Sequence, residues 1–195
     1  MIKKTMSALV LTLGLGAGIA QADTHGGEYA FDTQGQHQFI MFKISHLGYS
    51  WLYGRFNEFD GQFTFDEDNP ENSSVSVTVQ TDSIDSNHAE RDKHLRSDDY
   101  LDVDKFPEAT FKSTRIERTG DRTAKVHGDL TLHGVTREVT LDMTQIGYGE
   151  DPWGGYRMGF AGSVEIEPAN FGMELDLGPT AEKLELILSV EGIKQ

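Results

Sequence analysis

The sequence predicts an all-β fold of about eight antiparallel strands with one short helix. Three observations support this: apolar and polar residues alternate along most of the chain, turn motifs separate the alternating stretches, and a single stretch combines helix-forming with capping residues. Alternation with a period of two is typical of strands that bury one face and expose the other. A chain of 195 residues is long enough for one domain with a substantial core.

Residues 1–22 have the pattern of a secretory signal peptide. Two lysines precede an apolar stretch, and Ala20-Gln21-Ala22 matches the small-x-small motif of a cleavage site. The apolar stretch is shorter than the ~20 residues that a membrane-spanning helix requires. We therefore expect cleavage between Ala22 and Asp23, and a single mature domain of residues 23–195 that is exported to a Gram-negative periplasm.

The alternating stretches and the turn motifs between them cover most of the remaining chain. In order, the clearest alternating stretches are 39–44, 63–65, 75–79, 126–132, 139–143, 160–166 and 184–190. The turn motifs are at 68–70, 119–121, 133–134, 147–149 and 178–179. Short connections imply antiparallel neighbours. Eight such strands either close into a barrel or pack as two sheets.

The segment from His46 to Pro70 is unusually rich in aromatic residues. Gly48 and Gly54 interrupt it, and glycines within a strand pattern indicate a bulge or a bend. The segment forms either the rim of a binding site or a bent, packed corner, and composition does not decide between them.

One short helix is expected at about residues 87–97. This stretch lacks Gly and Pro and follows Asp85-Ser86-Asn87, any of which could cap it. Arg91 and Leu95 share a helical face, so the helix can pack Leu95 on the barrel and place Arg91 near its mouth. The alternative role of Arg91 is an ion pair with a carboxylate.

Composition and motif content argue against several functions. A net charge of −15 disfavours nucleic-acid binding and attraction to an anionic membrane. The absence of cysteine excludes disulfides, thiolate metal sites and a lipid-modified N-terminal Cys. His88 and His94 are six residues apart and cannot share a metal on a helix, so no metal site is predicted. No nucleophile with an activating base is recognisable, and we do not expect an enzyme.

Six motifs, in order along the chain, resemble those of the YceI-like family of secreted lipid-binding proteins. They are His46-Leu47-Gly48-Tyr49-Ser50, Gly54-x-Phe56-x-x-Phe59-Asp60-Gly61, Arg91-Asp92-x-His94-Leu95-x-Ser97-x-Asp99, Phe106-Pro107-x-Ala109-Thr110-Phe111, Gly128-x-Leu130-Thr131-x-His133-Gly134-Val135-Thr136 and Phe171-Gly172-Met173. The HAERDKHLRS stretch and Glu150-Asp151-Pro152-Trp153-Gly154-Gly155 are similar to the branch that carries a signal peptide. One departure is Pro168-Ala169-Asn170, where many members have Arg-x-Asp.

The resemblance implies an extended, eight-stranded antiparallel, lipocalin-like barrel with a helix beside it. It favours a ligand-lined interior over a core filled by side chains, which the sequence pattern alone leaves open. It further implies a periplasmic carrier of a polyprenyl phosphate or quinone-like lipid, with no other cofactor, no nucleic-acid partner and no stable membrane insertion, and it allows a homodimer. The alternatives are an exported enzyme that acts on a lipid through Asp92, His94 and Asp99, and a structural barrel with a filled core.

Two sets of residues are predicted to contact the lipid. Within each strand, the alternation places the apolar residues on one face, although it does not fix which face points inward. The predicted lining of the apolar tube is Phe42, Ile44, Phe63, Phe111, Leu130, Leu132, Leu141, Met143 and Phe160. The predicted entrance residues are Trp51, Tyr53, Arg91 and Tyr100, with Arg91 able to meet a phosphate or carbonyl head group.

Overall fold

The computed structural model describes residues 25–35 and 37–195, which form eleven strands in one antiparallel sheet. The predicted signal peptide and the predicted cleavage site at Ala22–Asp23 lie outside the described residues. No helix in the described part of the chain has the length and apolarity needed to cross a bilayer. The strands are β1 (Gly27–Phe31), β2 (Phe39–His46), β3 (Ser50–Phe56), β4 (Phe59–Phe65), β5 (Ser74–Gln80), β6 (Ile84–Asp85), β7 (Glu108–Arg118), β8 (Thr123–Leu132), β9 (Val135–Glu150), β10 (Tyr156–Ile166) and β11 (Leu184–Lys194).

Eight of these strands close into a barrel, as the sequence predicted. The order around the ring is β1-β4-β5-β7-β8-β9-β10-β11, and β11 pairs with β1 to complete it. All of these pairings are antiparallel. In β8 the alternation sets the inward face: Val126 is buried, whereas Asp129 is exposed. Closure leaves the ring without an unpaired edge, so its backbone polar groups are satisfied within the wall.

The remaining strands extend the wall at one end of the ring. β11 pairs with β1 through residues 192–194 and with β2 through residues 184–189, so β1 and β2 follow one another along the same edge. β3 pairs with β2, and the short β6 pairs with β3. The barrel therefore has a β1 end and a β2 end, and the wall at the β2 end includes β2, β3, β6 and the helix that follows them.

The predicted helix is present as α1 (Ala89–Arg96), but its cap differs from the expectation. The cap is His88, whose Nδ1 accepts a hydrogen bond from the backbone N–H of Arg91 at 3.2 Å. The residues expected to cap the helix have other partners: Asp85 Oδ1 accepts from the N–H of Asn87, and the Ser86 hydroxyl donates to Asp92. The prediction that one of residues 85–87 caps the helix was therefore wrong.

Two glycine motifs also differ from the prediction. Gly48 does not interrupt a strand but lies in the turn between β2 and β3 at φ 76°, a backbone angle that favours glycine. Gly147 and Gly149 do not form a turn, since β9 continues through them and pairs with β10. The reversal comes at residues 151–155, because Asp151 Oδ1 accepts hydrogen bonds from two backbone N–H groups within that loop.

Side chains fill the β1 end of the barrel. Tyr29, Phe31, Phe63 and Met158 are buried there, and the partly buried Phe160 packs against them. The rings of Tyr29 and Phe63 stack with centroids 4.7 Å apart, and Phe160 meets Phe63 edge-on at 5.4 Å. Burial raises the pKa of Tyr29 to about 12. These side chains form a packed base at this end of the barrel.

An ion network closes the surface over the β1 end. Arg157 donates to Asp32 at 2.5 Å, to Asp151 at 2.6 Å and to Glu191 at 2.5 Å. These carboxylates belong to three segments, so the guanidinium joins the chain after β1, the β9–β10 loop and β11. Potential ligand atoms of Asp32, Glu191 and His37 lie within 4.8 Å of one another. Because Arg157 already donates to two of these carboxylates, the geometry is that of an ion network.

The stability that this network contributes is expected to fall in acid. The hydrogen bond from Arg157 lowers the pKa of Asp32 below its ordinary 3.8, and hydrogen bonds from the Gly155 N–H and from Arg157 lower that of Asp151. Both groups release their protons more readily in the folded state than in the unfolded chain. Their stabilisation is therefore complete well above pH 3.8 and is lost as the pH falls through the depressed folded-state values.

Melting temperatures of the wild type and of Arg157→Met, measured from neutral pH into acid, check this expectation. At neutral pH the variant should melt several degrees lower, because the Asp32 and Asp151 carboxylates lose their partner. The difference in melting temperature between the two proteins should narrow in acid, because protonated carboxyls no longer require a cation. A gap that is independent of pH would show that Arg157 acts only through packing.

Candidate ligand-binding site

A cavity of about 280 Å³ lies inside the β2 end of the barrel. Its wall combines ring strands with β2, β3, α1 and the chain between β10 and β11. Nearly all of the lining side chains are apolar, so water inside this space would find few hydrogen-bond partners. The apolar lining residues are Ile40, Phe42, Ile44, Leu52, Phe56, Val79, Ile84, Leu95, Leu101, Ala109, Leu130, Leu132, Ile166, Pro168, Met173, Leu175, Leu177, Leu184 and Leu186.

A glycine in the wall lets one aromatic ring lie flat against the strands. The Phe42 ring packs over Gly54 on the neighbouring strand, and an added Cβ at Gly54 would lie 2.5 Å from Phe42 Cε1 and 3.0 Å from the Asp85 carbonyl oxygen. Any side chain at position 54 would push the ring away from the wall. The absence of a side chain at Gly54 therefore contributes to the space inside the barrel.

The polar side chains of the cavity come from α1 and the loop after it. They are Arg91, His94 and Tyr100. His94 is 57% exposed, so the cavity meets solvent beside the helix. The His94 Nε2 lies 3.1 Å from Asp99 Oδ2, and the imidazole packs edge-on against Tyr100 with centroids 4.8 Å apart. One end of the cavity is thus polar and accessible, and the rest is apolar.

Hydrogen bonds to Ser86 hold Arg91 at this opening. Arg91 Nε donates to Ser86 Oγ at 2.7 Å, and Nη2 donates to the Ser86 carbonyl oxygen at 2.5 Å. The Ser86 hydroxyl and N–H both donate to Asp92 Oδ1, at 2.5 and 2.8 Å. Ser86 and Asp92 are buried, so this chain of hydrogen bonds fixes the guanidinium in position.

The charge of Arg91 has no direct carboxylate partner among residues 25–35 and 37–195, which corrects the alternative of an ion pair. A half-buried guanidinium without a counterion favours an anionic or strongly dipolar ligand group. The arrangement can bind a molecule with a long apolar part and a hydrogen-bond acceptor at one end.

The predicted tube residues divide between the cavity and the core. Phe42, Ile44, Leu130 and Leu132 line the cavity. Phe111 and Leu141 belong to the buried core cluster but do not line the cavity, and Met143 packs against that cluster. Phe63 and Phe160 belong to the packed base at the β1 end. All nine side chains therefore point inward, but five of them pack in the core.

The predicted entrance residues also divide. Arg91 and Tyr100 line the cavity at its polar end. Trp51 and Tyr53 do not line it: they alternate with the inward-facing Leu52 and Gly54, and are 59% and 49% exposed on the outer face of β3. The structure therefore places them outside the cavity lining, on the outer surface of its wall.

Several cavity residues were missed by the sequence reasoning. Leu175 and Leu177 line the cavity from an irregular segment before β11. The alternation of Met173-x-Leu175-x-Leu177 was available as a signal, but the segment forms no strand. Leu184 and Leu186 lie in a stretch that was identified as a strand but not assigned to the tube.

The residues considered for catalysis do not form a reactive cluster. Asp92 is buried and accepts two hydrogen bonds from Ser86, whereas His94 and Asp99 form an exposed pair at the opening. Asp92 therefore serves to position Ser86 and, through it, Arg91.

Comparison with known proteins identifies the family. A sequence model of the YceI-like domain matches residues 29–192, which is most of the chain. The chain belongs to the YceI-like family. UPF0312 proteins of Pseudomonas aeruginosa strain LESB58 and Pectobacterium atrosepticum are 57% and 52% identical to it over 196 residues, covering 100% of both chains in each case.

Solved YceI-like structures share the barrel. Burkholderia cenocepacia BcnA matches with a TM-score of 0.73 at 22% identity, covering 83% of this chain and 98% of its own. The Campylobacter jejuni YceI protein gives 0.70 at 26% identity, covering 78% and 91%. A polyisoprenoid binding domain from Saccharophagus degradans gives 0.62 at 14% identity, covering 86% and 98%. The extended eight-stranded barrel with one helix is therefore the fold of this YceI-like chain.

The departure from the YceI-like pattern at Pro168-Ala169-Asn170 lies at the cavity. Pro168 begins a 3₁₀ helix (Pro168–Phe171), is buried and contributes to the cavity lining. Asn170 instead hydrogen-bonds Glu167 at 3.2 Å on the exposed side. The position at which many members have Arg therefore adds apolar surface here, and Arg91 remains the guanidinium at the opening.

Proposed function

We propose that this YceI-like protein binds one long amphipathic lipid of the isoprenoid type, a polyprenyl phosphate or a quinone-like molecule, and carries it in the periplasm. The observation that supports this most directly is an apolar cavity of about 280 Å³ with the Arg91 guanidinium at its open end. The apolar lining takes the tail, and Arg91 takes the phosphate or carbonyl oxygen of the head group.

Burial of the tail supplies the binding energy. Removing apolar surface from water contributes ~25 cal/mol per Å², so a tail that buries several hundred Å² can offset the entropic cost of association. An isoprenoid tail cannot remain dispersed in an aqueous compartment, and the cavity shields it there. A tail longer than the cavity extends toward the core cluster by displacing side chains such as Met143.

The protein acts as a carrier and not as an enzyme in this proposal. Asp92 is engaged by Ser86, and the Arg91 guanidinium that Ser86 holds is positioned to bind a head group. The mature chain begins at Asp23 and is exported, as expected from the signal pattern. The polyisoprenoid binding domain of Saccharophagus degradans shares the fold and supports this class of ligand.

Native mass spectrometry of protein purified from its own periplasm, combined with uptake of two probes, tests the proposal. The purified protein should carry a lipid mass, and the delipidated protein should take up both a fluorescent polyprenyl phosphate and the matching polyprenol. Arg91→Gln should lose the preference for the phosphate by roughly tenfold while keeping the polyprenol affinity, since a charge-assisted hydrogen bond contributes ~1.5–3 kcal/mol. Arg55→Gln, at an exposed arginine outside the cavity, is the matched control.

The outcomes separate tail binding from head-group recognition. A protein without copurified lipid that takes up neither probe would contradict carriage altogether. Uptake of both probes with no effect of Arg91→Gln would contradict only the role of Arg91.

A further inference from the structure

The hairpin between β2 and β3 exposes a group of apolar side chains that the cavity does not use. Leu47, Tyr49, Trp51 and Tyr53 are 50%, 87%, 59% and 49% exposed. We call these four residues the hairpin patch. An exposed cluster of large apolar side chains on a soluble fold marks a surface that contacts something else.

The charge around the hairpin patch differs from that of the rest of the chain. Residues 33–57 contain no Asp or Glu, although the chain has 32 acidic residues and a net charge of −15. Lys43 and Arg55 lie within this stretch, and each is paired with an acid from another strand, Glu185 at 2.6 Å and Asp85 at 3.5 Å. The hairpin is thus an aromatic segment without acidic residues of its own on a strongly acidic protein.

The hairpin patch is attached directly to the wall of the cavity. The Leu47 N–H donates to the carbonyl oxygen of Leu177, a cavity-lining residue, at 3.0 Å. Ser45 and Thr180 hydroxyls are hydrogen-bonded at 2.8 Å. Leu52, between Trp51 and Tyr53, lines the cavity. The strand that presents the patch to solvent therefore presents its other face to the ligand space.

The hairpin turn presents Leu47 at a positive φ. Leu47 has φ 54°, in the left-handed region that a branched apolar residue rarely occupies, and it is followed by Gly48 at φ 76°. The hydrogen bond to Leu177 holds this conformation. Positive φ at both central residues is what a two-residue hairpin turn requires, and the Tyr49 N–H closes the turn on the His46 carbonyl oxygen at 3.0 Å.

We propose that the hairpin patch docks into the head-group layer of a phospholipid bilayer and brings the cavity to the membrane surface. Trp and Tyr side chains favour this layer, because their rings are apolar and their N–H and O–H groups remain hydrated. The acid-free hairpin can approach a membrane from which the rest of the acidic surface is repelled. The inference rests on the proposed function, because docking would serve to load the lipid into the cavity. Docking itself can be measured without any ligand in the cavity.

A second copy of the chain fits the hairpin patch less well. A stable interface buries ~800 Å² on each partner, and four partly exposed side chains provide well under that area. Shallow insertion into a head-group layer requires only the few side chains that the hairpin offers.

The chain contains two tryptophans, one in the hairpin patch and one far from it, and this permits a matched fluorescence experiment. Trp153 is 75% exposed in the β9–β10 loop, next to Asp151 at the β1 end. Trp153→Phe leaves Trp51 as the reporter, and Trp51→Phe leaves Trp153. Delipidated protein is mixed with phosphatidylcholine vesicles, and with vesicles containing phosphatidylglycerol at low and high salt.

Emission of Trp51 should shift to the blue with phosphatidylcholine vesicles, whereas emission of Trp153 should not change. Anionic vesicles should shift Trp51 less at low salt than at high salt, because the acidic body is repelled until salt screens it. In the Trp153→Phe background, Tyr49→Asp should reduce vesicle partitioning by roughly tenfold, the size expected when one large aromatic side chain no longer leaves water. Tyr148→Asp, at an exposed tyrosine of β9, should leave partitioning unchanged.

Three results would overturn docking. One is the absence of any Trp51 shift with every vesicle, and another is an equal shift of Trp153. The third is a Trp51 shift that depends on protein concentration without vesicles, which would assign the patch to a second copy. None of these affects the copurification of a lipid, so failure of docking and failure of carriage are distinguishable.

Discussion

Replacing Leu132 by arginine is expected to abolish lipid uptake. Leu132 lies at the end of β8 and lines the apolar part of the cavity. A cation there would have no partner once a tail displaced water, and the effective cost of an unpaired ion in an apolar interior is several kcal/mol. Affinity for the polyprenyl probes should fall by roughly a hundredfold or more, as measured by fluorescence titration.

Two further variants at position 132 separate charge from folding. Leu132→Met conserves volume and should retain uptake within a few-fold, since such exchanges usually cost less than ~1.5 kcal/mol. Leu132→Trp adds bulk without charge and should reduce uptake by occupying the space. Unchanged uptake by a folded Leu132→Arg protein would show that the ligand does not reach this part of the barrel.

Adding a single methyl group at Gly54 is expected to reduce both stability and ligand capacity. The new Cβ would lie 2.5 Å from Phe42 Cε1 and would force the ring off the wall and into the cavity. Overpacking of this kind costs about 1–3 kcal/mol. Gly54→Ala should therefore lower the melting temperature and weaken uptake of the polyprenyl probes together.

The double variant Gly54→Ala/Phe42→Leu is the decisive comparison. Leucine removes the ring with which the methyl group collides, so the double variant should recover stability and uptake relative to Gly54→Ala. The coupling between two residues in contact is of the order of 0.5–3 kcal/mol, and calorimetry of the four proteins in the cycle measures it. Additive effects would show that Gly54 acts through the backbone and not through Phe42.

The ring of strands was predictable because apolar and polar residues alternate along each strand. In β8, Val126, Leu130 and Leu132 keep a single parity, and the Thr119-Gly120-Asp121 and His133-Gly134 motifs at its ends both become turns. The prediction failed at the reversal between β9 and β10, which was assigned to Gly147 and Gly149. Asp151 organises the turn at residues 151–155, and the Asp151-Pro152 and Gly154-Gly155 pairs were a local turn signal that the sequence reasoning did not use.

The site was predictable only in part. The alternation along a strand shows which side chains share a face, but not how far along the barrel axis each one lies. Phe63 and Leu132 both face the interior, yet Phe63 lies in the packed base and Leu132 lines the cavity. The difference arises from the pairing of β11 with β1 at one end and with β2 at the other, which is a non-local property. The spacing of Arg91 and Leu95 on α1 is local, and both residues line the cavity.

The two ends of the barrel have separate physical roles. The stacked rings of Tyr29 and Phe63 and the Arg157 network are confined to the β1 end, whereas the cavity is bounded by the β2 end. Substitutions that reshape the cavity leave those contacts intact. The lining of the cavity can therefore vary in sequence while the stacked rings and the ion network at the β1 end are retained.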